Sequence, residues 1–139
     1  MNEELIFKAQ FLQKQTEELE NNVALIDREI EDLGNLDKNL EFLMNSKEKV
    51  TISTIGKGIH VKTTLESKDL LVEVGAGVIV KKSPQEARSI IENQIKKLTE
   101  ARFHVMNKLD IYSKTMESLM VELEQEQAKE RAITSGNKS

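Results

Sequence analysis

The chain has 139 residues, of which 32% are charged and only 4% aromatic, with a net charge of −4 and no cysteine. Such a composition suits solvated helices better than a thick core, and it excludes disulfide frameworks and thiolate chemistry. No apolar run approaches the ~18 residues of a membrane span, and the first residues lack a basic-then-apolar leader pattern, so a soluble, cytoplasmic, single-domain protein is expected.

The charge is unevenly spread. Residues 2–46 carry 11 acids against 4 bases, residues 47–82 carry 4 against 7, and residues 83–139 balance at 9 and 9. A nucleic-acid binder normally shows a basic stripe on an exposed face, and the first segment shows the opposite.

Residues 2–46 read as one long helix. Leu5, Leu12, Leu19, Ile26, Leu33 and Leu40 recur every seventh residue. Ala9, Thr16, Val23, Ile30, Asp37 and Met44 follow four residues after each of them and fill the alternate seam position. A seam this long predicts two helices zipped together rather than helices wrapped around a globular core. Asn2 is placed to cap this helix, and Glu3 and Glu4 suit its positive end. Thr16 and Asp37 are polar breaks in the seam. Gly34 and Asp37 weaken the helix near its C-terminal third, where the alternatives are a bend and, preferred because an isolated Gly costs only about 1 kcal/mol, a tolerated solvent-side Gly.

Residues 47–82 are rich in β-branched side chains and glycine. Four short strands are expected, at Val50–Ile55, Gly58–Leu65, Leu70–Val74 and Val78–Lys82. Gly56-Lys57-Gly58 and Gly75-Ala76-Gly77 supply the tight turns, so the insert reads as two consecutive β-hairpins. Ile52, Ile55, Ile59, Val61, Leu65, Leu71, Val72, Val74, Val78 and Val80 are too many apolar groups for a lone sheet in water. At about 1.5–3 kcal/mol for each fully buried aliphatic side chain, and with open strand edges besides, they predict assembly with other subunits into a larger β body.

Residues 83–133 form the second helix. Ser83-Pro84-Gln85-Glu86 places a capping Ser, a Pro at the first helical position and a Glu three residues after the cap. Its seam is Ile91, Leu98, Val105, Tyr112 and Leu119, alternating with Ile95, Arg102, Leu109, Met116 and Leu123. Only Arg102 breaks it, and its stem can lie along the seam with the charge at the edge. Residues 134–139 read as a frayed, flexible polar tail. A compact insert brings the adjoining helix ends together, so the helices run antiparallel, roughly 65–70 Å long at ~1.5 Å per residue. Leu5 should then lie opposite about Gln125, with both chain ends at one tip. The predicted class is α+β: a long antiparallel coiled-coil hairpin with two β-hairpins inserted between the helices.

No catalytic constellation is present. His60 and His104 fall on different elements, and neither has a second ligand at metal spacing. Gly75-Ala76-Gly77 is similar to the start of a dinucleotide fingerprint, but the third Gly is missing and a strand follows instead of a helix. The paired carboxylates, such as Glu17 and Glu18, lie on a solvated helix with nothing to enclose them. No cofactor and no metal are expected. What remains is surface chemistry at the helix ends. Ile6, Phe7 and Phe11 fall off the strict seam near one end, as do Met120 and its neighbour Val121 near the other. They either widen the coiled-coil interface or form patches for non-native chains, a use to which adaptable Met and Phe are suited.

The run Asp69-Leu70-Leu71-Val72-Glu73-Val74-Gly75-Ala76-Gly77-Val78-Ile79-Val80-Lys81-Lys82, followed by Ser-Pro-Gln-Glu-Ala, resembles the prefoldin α-class subunits of archaeal type. The helix, two hairpins, helix order matches that class as well; β-class subunits have one hairpin. The specific motif is confined to roughly residues 50–90. The family's first strand usually carries a Pro before the Gly-rich turn, and Thr51–Gly58 has none. The resemblance implies a hexamer of two α-type and four β-type subunits joined through a β-barrel platform. It further implies an ATP-independent chaperone that captures unfolded proteins at the coil tips and transfers them to a group II chaperonin, without nucleic acid or membrane as partner. On that reading Ile6, Phe7, Phe11, Met120 and Leu123 hold the client, and the ten apolar strand residues carry assembly. The rival expectation is a structural coiled-coil spacer without affinity for unfolded chains.

Overall fold

The structure is a computed structural model that describes residues 2–136, Asn2 by its backbone alone. The element order is α1 (Asn2–Asn45), β1 (Val50–Gly56), β2 (Ile59–Thr64), β3 (Leu70–Gly75), β4 (Val78–Lys82) and α2 (Pro84–Gly136). Two compact units divide the chain: residues 1–28 with 99–139, and residues 29–98.

Heptad spacing puts one stripe of each helix against the other, and every seam residue named above is at least half-buried. The deepest packing lies in the second unit, where Leu40, Ala87 and Ile91 form a cluster with Leu33, Leu70 and Ile95 packed against it. Leu40 and Ile91 are only 7% and 5% exposed. Leu33 precedes Leu40 on α1 while Ile95 follows Ile91 on α2, so the pair runs antiparallel.

All three polar breaks in the seam have partners. Thr16 Oγ1 donates to the Leu12 carbonyl at 2.8 Å. Arg88 Nε and Nη2 donate to the two Asp37 carboxylate oxygens at 2.9 and 3.3 Å, a two-pronged cross-helix pair. Arg102 Nε donates to Asp27 Oδ1 at 2.7 Å, so its stem fills the seam while its head reaches the edge. Gly34 sits within the continuous helix, and a Cβ added there would meet nothing within 4 Å.

The helix ends are satisfied by different devices. At the start of α2, Ser83 Oγ accepts the Glu86 amide at 3.1 Å and Pro84 occupies the first turn. The last turn of α1 contains no basic residue. Lys68, from the connection between the hairpins, supplies the missing cation: its Nζ donates to the Met44 and Ser46 carbonyls at 2.8 and 2.7 Å. The capping role expected of Asn2 falls on a side chain outside the described residues.

Each hairpin is a separate two-stranded antiparallel sheet, and the described residues contain no closed barrel. Both hairpins turn through two residues of positive φ, Lys57-Gly58 (46° and 80°) and Ala76-Gly77 (51° and 75°), the two-residue geometry that matches strand twist. In both, the ladder skips one residue before the turn: Ile55 lies between the Thr54↔His60 and Gly56↔Ile59 pairs, and Val74 between Glu73↔Ile79 and Gly75↔Val78. These bulges extend β1 and β3 into Gly56 and Gly75, one residue further than expected.

The far end of α2 departs from expectation too. Residues 134–136 continue the helix instead of opening the expected frayed tail, and within it Thr134 Oγ1 donates to the Glu130 carbonyl at 2.8 Å. Residues 137–139 of the expected tail lie outside the described residues. Within the first unit, the Asp27–Arg102 pair sets the alignment of the helices. Only 25 positions separate Asp27 from Asn2, while 34 separate Arg102 from Gly136. So α2 overhangs by about nine residues, or about 13 Å.

Candidate functional site

Large apolar side chains are exposed along both helices, Leu25, Phe42, Phe103 and Ile111 among them, and two further groups bear on assembly and capture. The first is the hairpin pair. Leu70, Val72, Val80 and Lys82 share one face of the second hairpin, since cross-strand partners Leu70↔Lys82 and Val72↔Val80 point the same way. That face is half-buried, with Leu70 against the Leu40–Ala87–Ile91 cluster. The other face, with Leu71 (76% exposed) and Ile79, is open to solvent. The first hairpin is more exposed still: Val50, Ile52, Ile55, Ile59 and Val61 are all solvent-exposed. A two-stranded ribbon with both edges open is marginal alone and a template for pairing.

Strand β2 is one residue shorter at each end than expected, so Leu65 falls just outside it. Of the ten insert residues singled out from the sequence, Ile52, Ile55, Ile59, Val61, Leu71, Val74 and Val78 are displayed to solvent. Leu65, Val72 and Val80 are half-buried within the chain itself. Val50 and Ile79 were not in that set and are as exposed as the rest. The signal for them was their position inside strands otherwise read correctly.

The second surface lies in the first unit, toward the Asn2 end of α1. Ile6, Phe7 (69% exposed), Phe11 (58%) and Met120 are displayed. Phe7 and Phe11 are four residues apart and share one helical face. Leu123 differs from the other four: it is a seam residue, half-buried, because the heptad turns it toward α1. Heptad position also locates Ile6 and Met120. A groove of about 680 Å³ between the helices is lined by Gln13 and Glu20 from α1 and by Met106 and Ser113 from α2. Ile6 lies seven residues before Gln13 and Met120 seven after Ser113, so both belong to the flank on which this groove opens.

Little else offers chemistry. His60 Nδ1 and Thr54 Oγ1 are 3.0 Å apart on the first hairpin, and the His104 ring meets Phe103 edge-on at 6.0 Å. No group of His, Cys, Asp and Glu among the described residues could hold a metal ion. No described helix is long and apolar enough to cross a membrane. The Arg88 guanidinium, chiefly by hydrogen bonding, holds the Asp37 carboxyl below its ordinary value against an opposing desolvation effect. Asp37 in turn raises Arg88. The pair ties α2 to the seam position Asp37 across the helices.

Fold and surfaces together define an antiparallel helical pair whose inserted hairpins leave apolar faces and strand edges uncovered. The prefoldin-subunit family model matches residues 12–129, and the chain belongs to the prefoldin family, in its archaeal α class. It is 26% identical over 90 residues to the prefoldin subunit alpha of Methanosphaera stadtmanae and 31% identical over 86 residues to prefoldin subunit alpha 2 of Thermococcus kodakarensis. These alignments take in 65% and 61% of this chain, and the chain spans the same shares, 65% and 61%, of those relatives' length. Against the prefoldin subunit alpha of Pyrococcus horikoshii the identity is 30% over 103 residues, 71% of this chain and 69% of that one. The fold also matches a chain in the cryo-electron-microscopy structure of filamentous PFD from Methanocaldococcus jannaschii, with a TM-score of 0.70 and 23% identity over 88% of this chain and 99% of that one.

Proposed function

We propose that this chain is the α-type subunit of an ATP-independent chaperone. Its hairpins join those of β-type subunits in a hexamer of two α and four β, closing a shared β-barrel platform. The coil ends capture unfolded proteins and release them to a group II chaperonin in the cytoplasm. The reading includes no cofactor, no catalytic step, no nucleic acid and no membrane. The observation that carries it is the exposure of Ile6, Phe7, Phe11 and Met120, large apolar side chains that lie off the seam at one end of the coil. Large apolar groups left wet at a surface mark interaction sites, and several weak contacts on a multi-subunit assembly hold a client without a sequence requirement. Leu123, beneath Met120 by one helical turn, supports that end from the seam.

The test removes residues 1–11 and 120–139 and reassembles the shortened chain with its partner subunits. The hexamer should persist, and suppression of aggregation of a chemically denatured protein should be lost. Undiminished protection would overturn the reading. A full-length hexamer that protects no denatured protein would point instead to a structural spacer.

A further inference from the structure

The groove between the helices in the first unit has a particular chemistry. Its floor is apolar, with Met106, Leu109, Tyr112 and Met116, and its rim carries Glu17, Glu20, Asp110 and Glu117. None of its lining residues is basic. Asp110 is already paired, at 3.1 Å from Lys114 Nζ. Glu17, Glu20 and Glu117 have no ion-pair partner among the described residues. The helices therefore present three unpaired carboxylates around a slot that, by heptad position, leads toward Ile6 and Met120.

We propose that this groove binds segments of non-native polypeptide in which Lys or Arg side chains are interspersed with apolar ones, so that the captured chains are selected by charge as well as by greasiness. The proposal rests on the capture reading and names its preferred substrate class. Lys and Arg suit such a slot because their aliphatic stems lie along apolar surface while the charged heads reach the rim. Methionines on the floor adapt to side chains of differing shape. An acidic segment would meet the same rim with like-charge repulsion, so the slot discriminates by rejection as well as by attraction. Since the carboxylates are at the surface, the preference acts within a Debye length of about 8 Å at physiological ionic strength and fades as salt rises.

The test uses the full-length chain and two fluorescent, unstructured peptides with identical apolar residues, one with Lys and one with Glu at the intervening positions. Binding is read by fluorescence anisotropy at low and high salt. The Lys peptide should bind about tenfold more tightly at low salt, with the gap shrinking at high salt. The gap should close in Glu17→Gln/Glu20→Gln/Glu117→Gln, whose helicity is checked by circular dichroism. It should survive in Glu18→Gln/Glu122→Gln, which removes two acids outside the groove lining. Equal binding of the two peptides, or equal loss of the gap in both variants, would overturn the inference. Aggregation suppression by the assembled protein, measured alongside, separates the two readings. Protection without charge preference removes this inference alone, and absence of both peptide binding and protection removes both.

Discussion

The two β-hairpins are near copies of one another locally and differ in what covers them. Thr54-Ile55-Gly56-Lys57-Gly58-Ile59-His60-Val61 and Glu73-Val74-Gly75-Ala76-Gly77-Val78-Ile79-Val80 share a two-residue turn, a bulge before it and β-branched residues at the first and third positions after it. The second hairpin lays Leu70 on the Leu40–Ala87–Ile91 cluster and half-buries one face. The first leaves its aliphatic side chains in water, with Ile55 73% exposed. Turn chemistry thus determines that each segment becomes a ribbon. Contact with the helical seam determines which ribbon the chain anchors for itself and which it leaves exposed.

The comparison breaks most sharply at Ile91. Ile91→Ala removes the best-buried side chain of the cluster and should cost about 2–5 kcal/mol in urea unfolding. In the native state, amide hydrogen exchange should accelerate in β3 and β4 while β1 and β2 stay as they are. Equal acceleration in both hairpins would show that the cluster does not anchor the second one.

A smaller effect is expected at the seam pair beside that cluster. Asp37→Asn should lower stability by less than Ile91→Ala, and the difference from the native chain should depend on pH. The Asp37 carboxyl titrates below its ordinary 3.8 in the folded state, held down by Arg88. Its contribution is therefore complete above the unfolded value and is lost as pH falls through the lower folded one. Thermal unfolding at neutral pH and in strong acid should show the native chain's advantage in the first and its disappearance in the second. A gap that is constant with pH would assign the loss to packing instead of charge.

The smallest change in chain stability belongs to the exposed hairpin. Ile52→Ser should leave the dissociated chain unaffected within about 0.5 kcal/mol, as surface substitutions usually do. If the proposed assembly covers this hairpin, the substitution should nevertheless shift sedimentation of the co-assembled protein toward smaller species. Unaltered assembly would place the shared β surface elsewhere in the insert.

The helices were legible because a seven-residue repeat has one low-energy use, and each seam position named from the sequence is at least half-buried. The polar breaks were legible only as breaks. Arg88 and Asp37 are 51 residues apart and Arg102 and Asp27 are 75 apart, so their pairing depends on the alignment of two antiparallel helices. No local pattern states that alignment. Lys68 is a similar case: a loop lysine is unremarkable in a sequence, and its role as the cation at the α1 terminus exists only once the insert folds back. At the candidate capture site, distance from the seam separated displayed Phe7 and Phe11 from half-buried Leu123. The groove on whose flank Ile6 and Met120 fall by heptad position required both helices together.

From the sequence alone follow the element order, the antiparallel seam, the turns and the surplus of apolar strand residues, since each depends on short-range spacing and side-chain chemistry. The tertiary structure decided which hairpin face the chain covers for itself, how far α2 overhangs α1, and which charges meet across the seam. Those outcomes depend on the alignment of segments distant along the chain, where small differences in register move a side chain from one neighbour to another.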